Sequence, residues 1–308
     1  MKIVVVGCGA MGSIYAALLS ASGHDVAVVD TNAEHVSTIN ERGLRVSGAS
    51  GDRTVQVRAY LQPPSEPSEL VICAVKAGFI GYAAQSLRSL LGPETLILTI
   101  QNGLGSADII AEKVGAEHLI VGVAQGFGAS LREPGWAHHN DMKAIRMGAY
   151  GALETSKVAA ISKVWADAGF DAAHVEDIVA MQWEKLICNV AYSAPCAITG
   201  LTVGEIIDHP QMGIVSRAAA REAYVVACAL GINLSFADPD REVREFAARM
   251  PDAKPSVLLD LEASRISEVD VINGTIPIQA KKAGLEAPVN AALTAAVQAL
   301  ETRFDKLN

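Results

Sequence analysis

The chain has 308 residues, of which half are hydrophobic, and a formal net charge of −9 that is spread without long acidic runs. This length supplies core for one large domain or two moderate ones, the negative charge argues against a nucleic-acid or anionic-membrane surface, and no apolar run approaches the length of a membrane span. Five cysteines without C-x-x-C spacing indicate reduced core thiols of a cytoplasmic protein, not a disulfide framework or a metal site: Cys8, Cys73, Cys188, Cys196 and Cys228.

The beginning of the chain is typical of a strand–helix–strand unit. Lys2–Val6 is a short β-branched run that suits a strand buried on both faces, and Ala10–Ser22 is rich in Ala and Leu and suits a packed helix. Asp25–Val29 is apolar again after a Gly-His turn and predicts a second strand. A unit of this length is a βαβ crossover.

Three glycines lie in the first turn of this unit with the spacing G-x-G-x-x-G. Gly7 would allow the tight turn, Gly9 would let a pyrophosphate approach the backbone, and Gly12 would let the helix pack close to the strand. The helix N-terminus offers unpaired N–H groups to the phosphates. Asp30 follows the second strand, where an acidic residue accepts hydrogen bonds from a ribose hydroxyl. The order of a strand, a helix, a second strand and an acidic residue predicts that this turn binds a dinucleotide. A glycine-rich turn without a ligand is the alternative.

Strand-like and helix-like segments continue to alternate, which predicts a doubly wound α/β sheet of the Rossmann type. The predicted elements are the helix Ala33–Glu41, the strands Leu44–Val46, Val55–Tyr60, Leu70–Val75, Thr95–Ile100 and Leu119–Val123, the helix Ser156–Ala168 and a strand or connector over Phe170–Val175. The stretch from "PGWAHHN" to "AIRMGAYG" predicts the last, antiparallel strands of this sheet. His138 and His139 point to opposite faces of such a strand, which favours a structural role over a paired site.

The sequence changes character near Asp177, after which the segments are typical of helices. The predicted helices are Ile178–Tyr192, Pro210–Leu230, Arg241–Arg249, Ser256–Ile272, Ile278–Ala283 and Val289–Phe304. Asn273-Gly274 would end the fourth of them as a C-terminal stop. We therefore expect a dinucleotide-binding domain over residues 1–174 and an all-helical domain over residues 175–308, with the substrate between the two.

Two polar residues follow buried strands of the predicted sheet. Lys76 comes directly after "LVICAV", and Asn102 follows "TLILTIQ". Ligands of open α/β sheets bind beyond the carboxyl ends of the strands, so both side chains would face the crevice of the glycine turn. A lysine in this position is equally compatible with a solvated loop, and both interpretations stay open.

A second group of polar residues lies in the helical half. Lys185, Asn189 and Ser193 are spaced i, i+4, i+8 and share one side of a helix. The apolar neighbours of Lys185 would desolvate its ammonium, lower its pKa and make it a better proton donor near neutral pH. Ser256 and Glu268 lie on the later predicted helix, where plain surface polarity is the alternative.

Together these segments resemble the ketopantoate reductases, also called 2-dehydropantoate 2-reductases, over nearly the full length of the chain. The features that carry the resemblance are "GCGAMG", "VKA", "QNGLG", "EKLICN" and "SVLLD…EVDVING", in this order and with these separations. The resemblance implies a dinucleotide-binding domain followed by a helical domain that also pairs subunits into a homodimer. It implies reduction of the 2-oxo group of ketopantoate by a nicotinamide cofactor.

The resemblance also implies roles for single residues. Lys185 would be the general acid, with Asn102 and Glu268 completing the catalytic group. Lys76 and Asn102 would stand beside the nicotinamide and the reacting carbonyl. The cofactor pyrophosphate would be held by Gly7, Gly9 and Gly12 and by the backbone of Cys8, Ala10 and Met11. Gly128 would lie near the nicotinamide end, and Glu268 would contact the cofactor or orient its polar network. The substrate would be bound by Lys76, Asn102, Asn189, Ser193 and Ser256.

Several positions depart from the family pattern. Ser193 stands where an Asn is usual, and Val203 and Ala253 replace polar residues, so the substrate can differ from ketopantoate. NADP-using members carry an Arg after the second strand, whereas this chain has Asp30, followed by Thr31 and Asn32. A carboxylate there repels a 2′-phosphate, which favours NAD(H) and leaves NADP(H) open.

Two other functions fit parts of the same pattern. A β-hydroxyacid dehydrogenase would share the glycine turn and a K-x-x-x-N pair, matched by Lys185 and Asn189, and would oxidise 3-hydroxy acids; an NAD-dependent 2-hydroxyacid dehydrogenase with a different substrate is a related possibility. A non-catalytic nucleotide sensor would need only the first domain. The "QNG" segment and the spacing of Ser256 and Glu268 favour the ketopantoate reductase type.

Overall fold

The computed structural model describes residues 1–126, 128–141 and 144–304. Contacts within these ranges divide the chain into two compact units. The first unit comprises Met1–Gln101 and Gly105–Ile178, and the second comprises Asn102–Leu104 and the described chain from Val179 onward. The short segment Asn102–Leu104 therefore belongs to a different unit from the residues that flank it.

The first unit contains strands of two sheets. The strands are β1 Lys2–Val6, β2 Asp25–Val29, β3 Leu44–Gly48, β4 Arg53–Val55, β5 Arg58–Tyr60, β6 Leu70–Cys73, β7 Leu96–Thr99, β8 Leu119–Gln125, β9 Gly128–Glu133, β10 Trp136–Asp141, β11 Ala144–Ala149 and β12 Asp171–His174. The main sheet has the order β12-β11-β8-β7-β6-β1-β2-β5, and its neighbours are parallel except for β8 and β11. The predicted doubly wound α/β sheet is confirmed.

A smaller sheet corrects two predictions. Its order is β4-β3-β10-β9. The predicted strand Val55–Tyr60 is in fact two strands, because β4 pairs antiparallel with β3 while β5 pairs parallel with β2 in the main sheet. Strand β10 was expected in the main sheet and instead pairs with β9 and β3, so only β11 extends the main sheet antiparallel. Along β10, His139 is buried and His138 is half-buried, which confirms that they face opposite ways.

The helices of the first unit cover these strands. They are α1 Ala10–Ala21, α2 Ala33–Arg42, α3 Ile80–Ser86, α4 Ser106–Val114 and α5 Thr155–Asp167. Helix α1 contacts strands of both sheets, which explains why small residues such as Ala16 and Ala17 occupy its interior positions, fully buried. This packing fixes the N-terminus of α1 directly after β1.

The second unit is helical, as predicted. Its helices are α6 Ile178–Thr199, α7 Val203–Asp208, α8 Met212–Ala229, α9 Pro239–Arg249, α10 Ser256–Glu262, α11 Thr275–Lys282 and α12 Pro288–Glu301, and α6 begins at the last residue of the first unit. None of the helices in the described ranges is long and apolar enough to cross a membrane. Four of the five cysteines are buried as expected, whereas Cys228 is exposed on α8 and is not a core thiol.

Two helix ends in the second unit differ from the prediction. The predicted helix Ser256–Ile272 stops at Glu262, because Ser264 adopts a left-handed conformation (φ 53°), and the chain resumes in a 3₁₀ turn over Val269–Val271. Gly274 does not end a helix. It precedes α11 with φ −66°, and glycine is required there because a Cβ would lie 2.6 Å from the Asp270 carbonyl oxygen.

Helix α6 is longer than predicted. The prediction ended it at Tyr192, ahead of Pro195, but the helix continues to Thr199. Pro195 removes one backbone donor inside the helix. The Thr199 hydroxyl donates a hydrogen bond to the Pro195 carbonyl at 2.7 Å and thereby supports the last turn. Helix α7 had no counterpart in the prediction, although Thr202 and Glu205 form a capping box at its start.

Candidate active site

The glycine turn after β1 has the geometry of a dinucleotide loop. Gly7 has φ +95°, and a Cβ on it would lie 2.6 Å from the Val75 backbone nitrogen. A Cβ on Gly12 would overlap the Gly7 carbonyl oxygen, so only glycine lets α1 pack this close to the turn. These two glycines shape the protein itself, as the sequence predicted.

Gly9 differs from the other two glycines of the turn, Gly7 and Gly12. It has φ −67°, and no atom lies within 4 Å of the place a Cβ would take. Gly9 immediately precedes α1, whose first N–H groups at Ala10 and Met11 have no partner within the helix. Open space in front of a helix N-terminus fits a pyrophosphate, which the N–H groups and the helix dipole would attract.

Cys8 lies inside this turn with its side chain buried. Its sulfur lies 3.5 Å from the Ser13 hydroxyl, and burial raises the pKa of the thiol to about 12. The thiol therefore stays protonated and is a poor nucleophile. The cofactor contact through the Cys8 backbone, which the resemblance implied, stays a prediction.

Asp30 lies directly after β2 and is partly exposed. One of its carboxylate oxygens accepts a hydrogen bond from the Asn32 backbone at 2.9 Å. The Asn32 side chain in turn caps α2 by accepting from the His35 backbone at 3.0 Å. These local bonds hold a negative charge at the carboxyl end of β2, where a ribose would lie.

Gln101 and Lys76 are related through the carboxyl end of β6. The Gln101 amide donates to the carbonyl oxygens of Cys73 at 2.6 Å and Val75 at 3.1 Å, and the Thr99 hydroxyl bonds to its amide oxygen. These bonds fix the backbone that leads to Lys76, which is exposed at the start of a 3₁₀ turn. Gln101 lies within the "QNG" segment, and no role was predicted for it.

Asn102 lies one residue further on and belongs to the second unit. The Lys185 ammonium donates a hydrogen bond to the Asn102 side-chain oxygen at 2.8 Å. The next segment is held as well, because the Leu104 N–H donates to the Val271 carbonyl at 3.3 Å. Gln101 thus belongs to the first unit, and Asn102 and Gly103 belong to the second.

Lys185 lies on α6 between buried neighbours. The residue is half-buried, while Trp183 and Leu186 are almost completely buried. Desolvation lowers the pKa of Lys185 to about 8, and the negative charge of Glu268 partly opposes this by favouring the ammonium. The group is therefore protonated near neutral pH and is a stronger acid than an ordinary lysine.

The structure brings Asn102, Lys185 and Glu268 together, but the element that carries Glu268 differs from the predicted one. It precedes the 3₁₀ turn Val269–Val271 and does not lie on α10. Asn189 and Ser193 follow Lys185 on α6, half-buried and buried respectively.

The remaining predicted residues lie on other elements. Ser256 is exposed at the first position of α10, and Gly128 begins β9 in the first unit. Val203 is buried, and its N–H donates to the Ala253 carbonyl at 3.1 Å. Asn273, which was predicted to end a helix together with Gly274, is instead a completely buried residue.

Known protein families match both parts of the chain. Residues 3–152 match the family model described as "Ketopantoate reductase PanE/ApbA", and residues 177–301 match its C-terminal counterpart. The chain belongs to the ketopantoate reductase family. The predicted family and the prediction of a nicotinamide-dependent oxidoreductase are confirmed.

Among the family's curated members, the 2-dehydropantoate 2-reductase of Halobacterium salinarum is 29% identical over 292 residues, which cover 94% of this chain and 95% of that one. A ketopantoate reductase structure from Ralstonia eutropha superimposes with a TM-score of 0.90 at 29% identity, covering 99% and 100% of the two chains. D-mandelate dehydrogenase with NADH and anilino(oxo)acetate superimposes with a TM-score of 0.91 at 25% identity, covering 99% of each. Similarity of this level does not distinguish substrates within the family.

Proposed function

We propose that this ketopantoate reductase family member reduces the 2-oxo group of a 2-oxo acid with a nicotinamide cofactor and uses Lys185 as the general acid. The observation that carries the proposal is the ammonium of the half-buried Lys185, which donates a hydrogen bond to the Asn102 oxygen at 2.8 Å and feels the negative charge of Glu268. A desolvated cation with a pKa of about 8 is suited to protonate an oxyanion near neutral pH.

The glycine turn would hold the cofactor. The open space at Gly9 and the N–H groups at the start of α1 would bind the pyrophosphate, and Asp30 would accept hydrogen bonds from the ribose. Lys76 and Gly128 would lie toward the nicotinamide end. When bound, the reduced nicotinamide supplies the hydride.

Lys185 would act on the oxygen of the carbonyl that is reduced. Negative charge develops there as the hydride arrives at C2, and the ammonium stabilises this charge and donates its proton. Asn102 would keep the ammonium directed by accepting one of its N–H groups, and the charge of Glu268 would keep it protonated until the reaction. Asn189, Ser193 and Ser256 would bind the rest of the substrate.

Asp30 supports NAD(H) as the preferred cofactor. Its carboxylate would repel the 2′-phosphate of NADP(H) and pair with a free hydroxyl. The similar structures of D-mandelate dehydrogenase contain NADH, which fits a family that accommodates this cofactor.

A second candidate is an NAD-dependent dehydrogenase of a different 2-hydroxy acid, with a less polar side chain than pantoate. Ser193 and Val203 are buried, and Val203 and Ala253 are apolar where the family pattern is polar. A site that lacks polar partners does not select for a hydroxylated substrate. The likeness to D-mandelate dehydrogenase favours this candidate over a 3-hydroxyacid dehydrogenase.

We also infer a homodimer that pairs through the helical unit. Exposed apolar side chains on α8 and α11 support this assembly, namely Ile214, Val225 and Ile278.

The test is a panel of 2-oxo acids, including ketopantoate and aromatic and aliphatic analogues, assayed with NADH and with NADPH by nicotinamide absorbance. We expect turnover of at least one 2-oxo acid and higher kcat/KM with NADH. Tight cofactor binding without turnover of any 2-oxo acid or 3-hydroxy acid would instead support a nucleotide sensor.

A further inference from the structure

We propose that Gly103 is a positioning residue whose missing side chain seats the segment Asn102–Leu104 on the Val271 carbonyl and thereby holds the Asn102 amide against Lys185. The inference deepens the proposed function, because it rests on Lys185 as the proton donor.

The backbone around Gly103 leaves no room for a side chain. Gly103 has φ +76°, a conformation that L-residues rarely adopt. A Cβ built there would overlap the Val271 carbonyl oxygen and lie 3.1 Å from the Val271 Cβ. The same carbonyl accepts the Leu104 N–H at 3.3 Å, so the segment rests directly on this one backbone group.

The element that receives Gly103 also carries Glu268. Val271 ends the 3₁₀ turn Val269–Val271, and its N–H donates to the Glu268 carbonyl at 3.2 Å. One short turn therefore sets the position of Asn102 through Gly103 and the position of Glu268 through its own backbone. Lys185 interacts with both of these side chains.

A side chain at position 103 would have a direct effect on Lys185. The segment Asn102–Leu104 would have to lift from Val271, and the Asn102 oxygen would move away from the ammonium. Displacing a catalytic group by about 1 Å can cost on the order of 10²-fold in rate. Water would reach the ammonium, so its pKa would rise toward that of an ordinary lysine.

The chain offers a matched control two residues away. Gly105 also has a left-handed conformation (φ +96°), but no atom lies within 4 Å of its would-be Cβ. Gly103→Ala and Gly105→Ala therefore introduce the same kind of backbone strain, and only Gly103→Ala collides with Val271.

The experiment compares wild type, Gly103→Ala, Gly105→Ala, Asn102→Ala and Gly103→Ala/Asn102→Ala. We expect Gly103→Ala to lower kcat by about 10²-fold and Gly105→Ala to change it by less than about threefold. Since Gly103 acts through Asn102, adding Gly103→Ala to Asn102→Ala should lower kcat little further. Equal effects of the two glycine variants, or full additivity with Asn102→Ala, would overturn the proposal.

A second readout needs no substrate. The pH dependence of acylation of Lys185, followed by mass spectrometry, should have its midpoint near 8 in wild type and Gly105→Ala and at a higher pH in Gly103→Ala. If wild type reduces no 2-oxo acid but the midpoint moves only in Gly103→Ala, the positioning role stands and the proposed function fails. An unchanged midpoint in an active enzyme overturns the positioning role alone.

Hydrogen exchange of the wild-type protein covers the case in which Gly103→Ala does not fold. The Leu104 amide should be protected because it donates to the Val271 carbonyl. Exchange of this amide at the rate of an open loop would overturn the proposal without any variant.

Discussion

The Lys185 ammonium donates a hydrogen bond to the side-chain oxygen of Asn102 at 2.8 Å, although 83 residues separate the two in the sequence. Glu268 adds a negative charge to the same group. A partly desolvated cation that bonds to a neutral amide and lies near a carboxylate would suit the proposed role of general acid.

The pH dependence of the reaction should report the pKa of Lys185. Reduction requires the ammonium, so kcat/KM for reduction should be constant below about pH 8 and fall as the pH rises through that value. Oxidation of the 2-hydroxy acid requires the neutral amine, so its kcat/KM should rise over the same range. Both profiles can be measured by nicotinamide absorbance.

Glu268→Gln provides the directional check on this assignment. Removing the carboxylate removes a charge that raises the pKa of Lys185, so the alkaline limb for reduction should move to lower pH. A limb that stays in place, or moves to higher pH, would show that another group titrates.

Gly9→Ala should separate cofactor binding from folding. Its conformation (φ −67°) suits alanine, and the added methyl group enters open space, so the free energy of unfolding should not fall. The methyl group would meet the pyrophosphate and weaken NADH binding by about tenfold or more, or about 1.4 kcal/mol. Calorimetric titration with NADH tests this.

Gly81→Ala is the control for Gly9→Ala. It lies within α3, where an added methyl would make only an ordinary contact with Ile109. NADH affinity should be unchanged. Equal affinity of Gly9→Ala and wild type for NADH would place the pyrophosphate elsewhere.

Asp30→Asn should reduce discrimination against NADPH. The substitution removes the charge that would repel a 2′-phosphate, so the ratio of kcat/KM for NADH to that for NADPH should fall by about tenfold. Asp25→Asn removes a carboxylate from the opposite end of β2, where it forms an exposed ion pair with Arg58. That control should leave the ratio unchanged, and an equal change in both variants would refute the role of Asp30.

Asn273→Ala should destabilise the helical unit. The completely buried amide donates to the Val190 carbonyl on α6 and to the Asn290 side chain, both at 3.0 Å. Its removal leaves both acceptors buried without this donor, at a cost of about 1–3 kcal/mol in the free energy of unfolding. Urea unfolding measures the loss. Gln298→Ala, which removes an exposed amide bonded to Asp270, should cost less than about 0.5 kcal/mol.

Local features of the sequence predicted the glycine turn and the helix that carries Lys185. The roles of Gly7 and Gly12 depend on a turn of a few residues, so spacing alone was sufficient, and the helical spacing of Lys185 and Asn189 was equally local. The position of Asp30 directly after β2 was also predictable, because it depends only on where the strand ends.

The features that the sequence did not reveal depend on tertiary partners. The strand-like sequence pattern of Val55–Tyr60 does not show that the chain passes from one sheet to the other between β4 and β5. The left-handed Ser264 interrupts a segment whose periodicity predicted one continuous helix. The contact of Asn102 with Lys185 joins distant parts of the chain, and only the resemblance to a family brought the two together beforehand.

The central claim is that Lys185 supplies the proton, and single-turnover reduction by Lys185→Ala with saturating NADH tests it most directly. The control is Lys163→Ala, which removes an exposed lysine paired with Asp167 on α5. We predict that Lys185→Ala reduces the 2-oxo acid about 10²–10⁴-fold more slowly with nearly unchanged NADH affinity, while Lys163→Ala behaves like wild type. Reduction by Lys185→Ala at the wild-type rate would contradict the account.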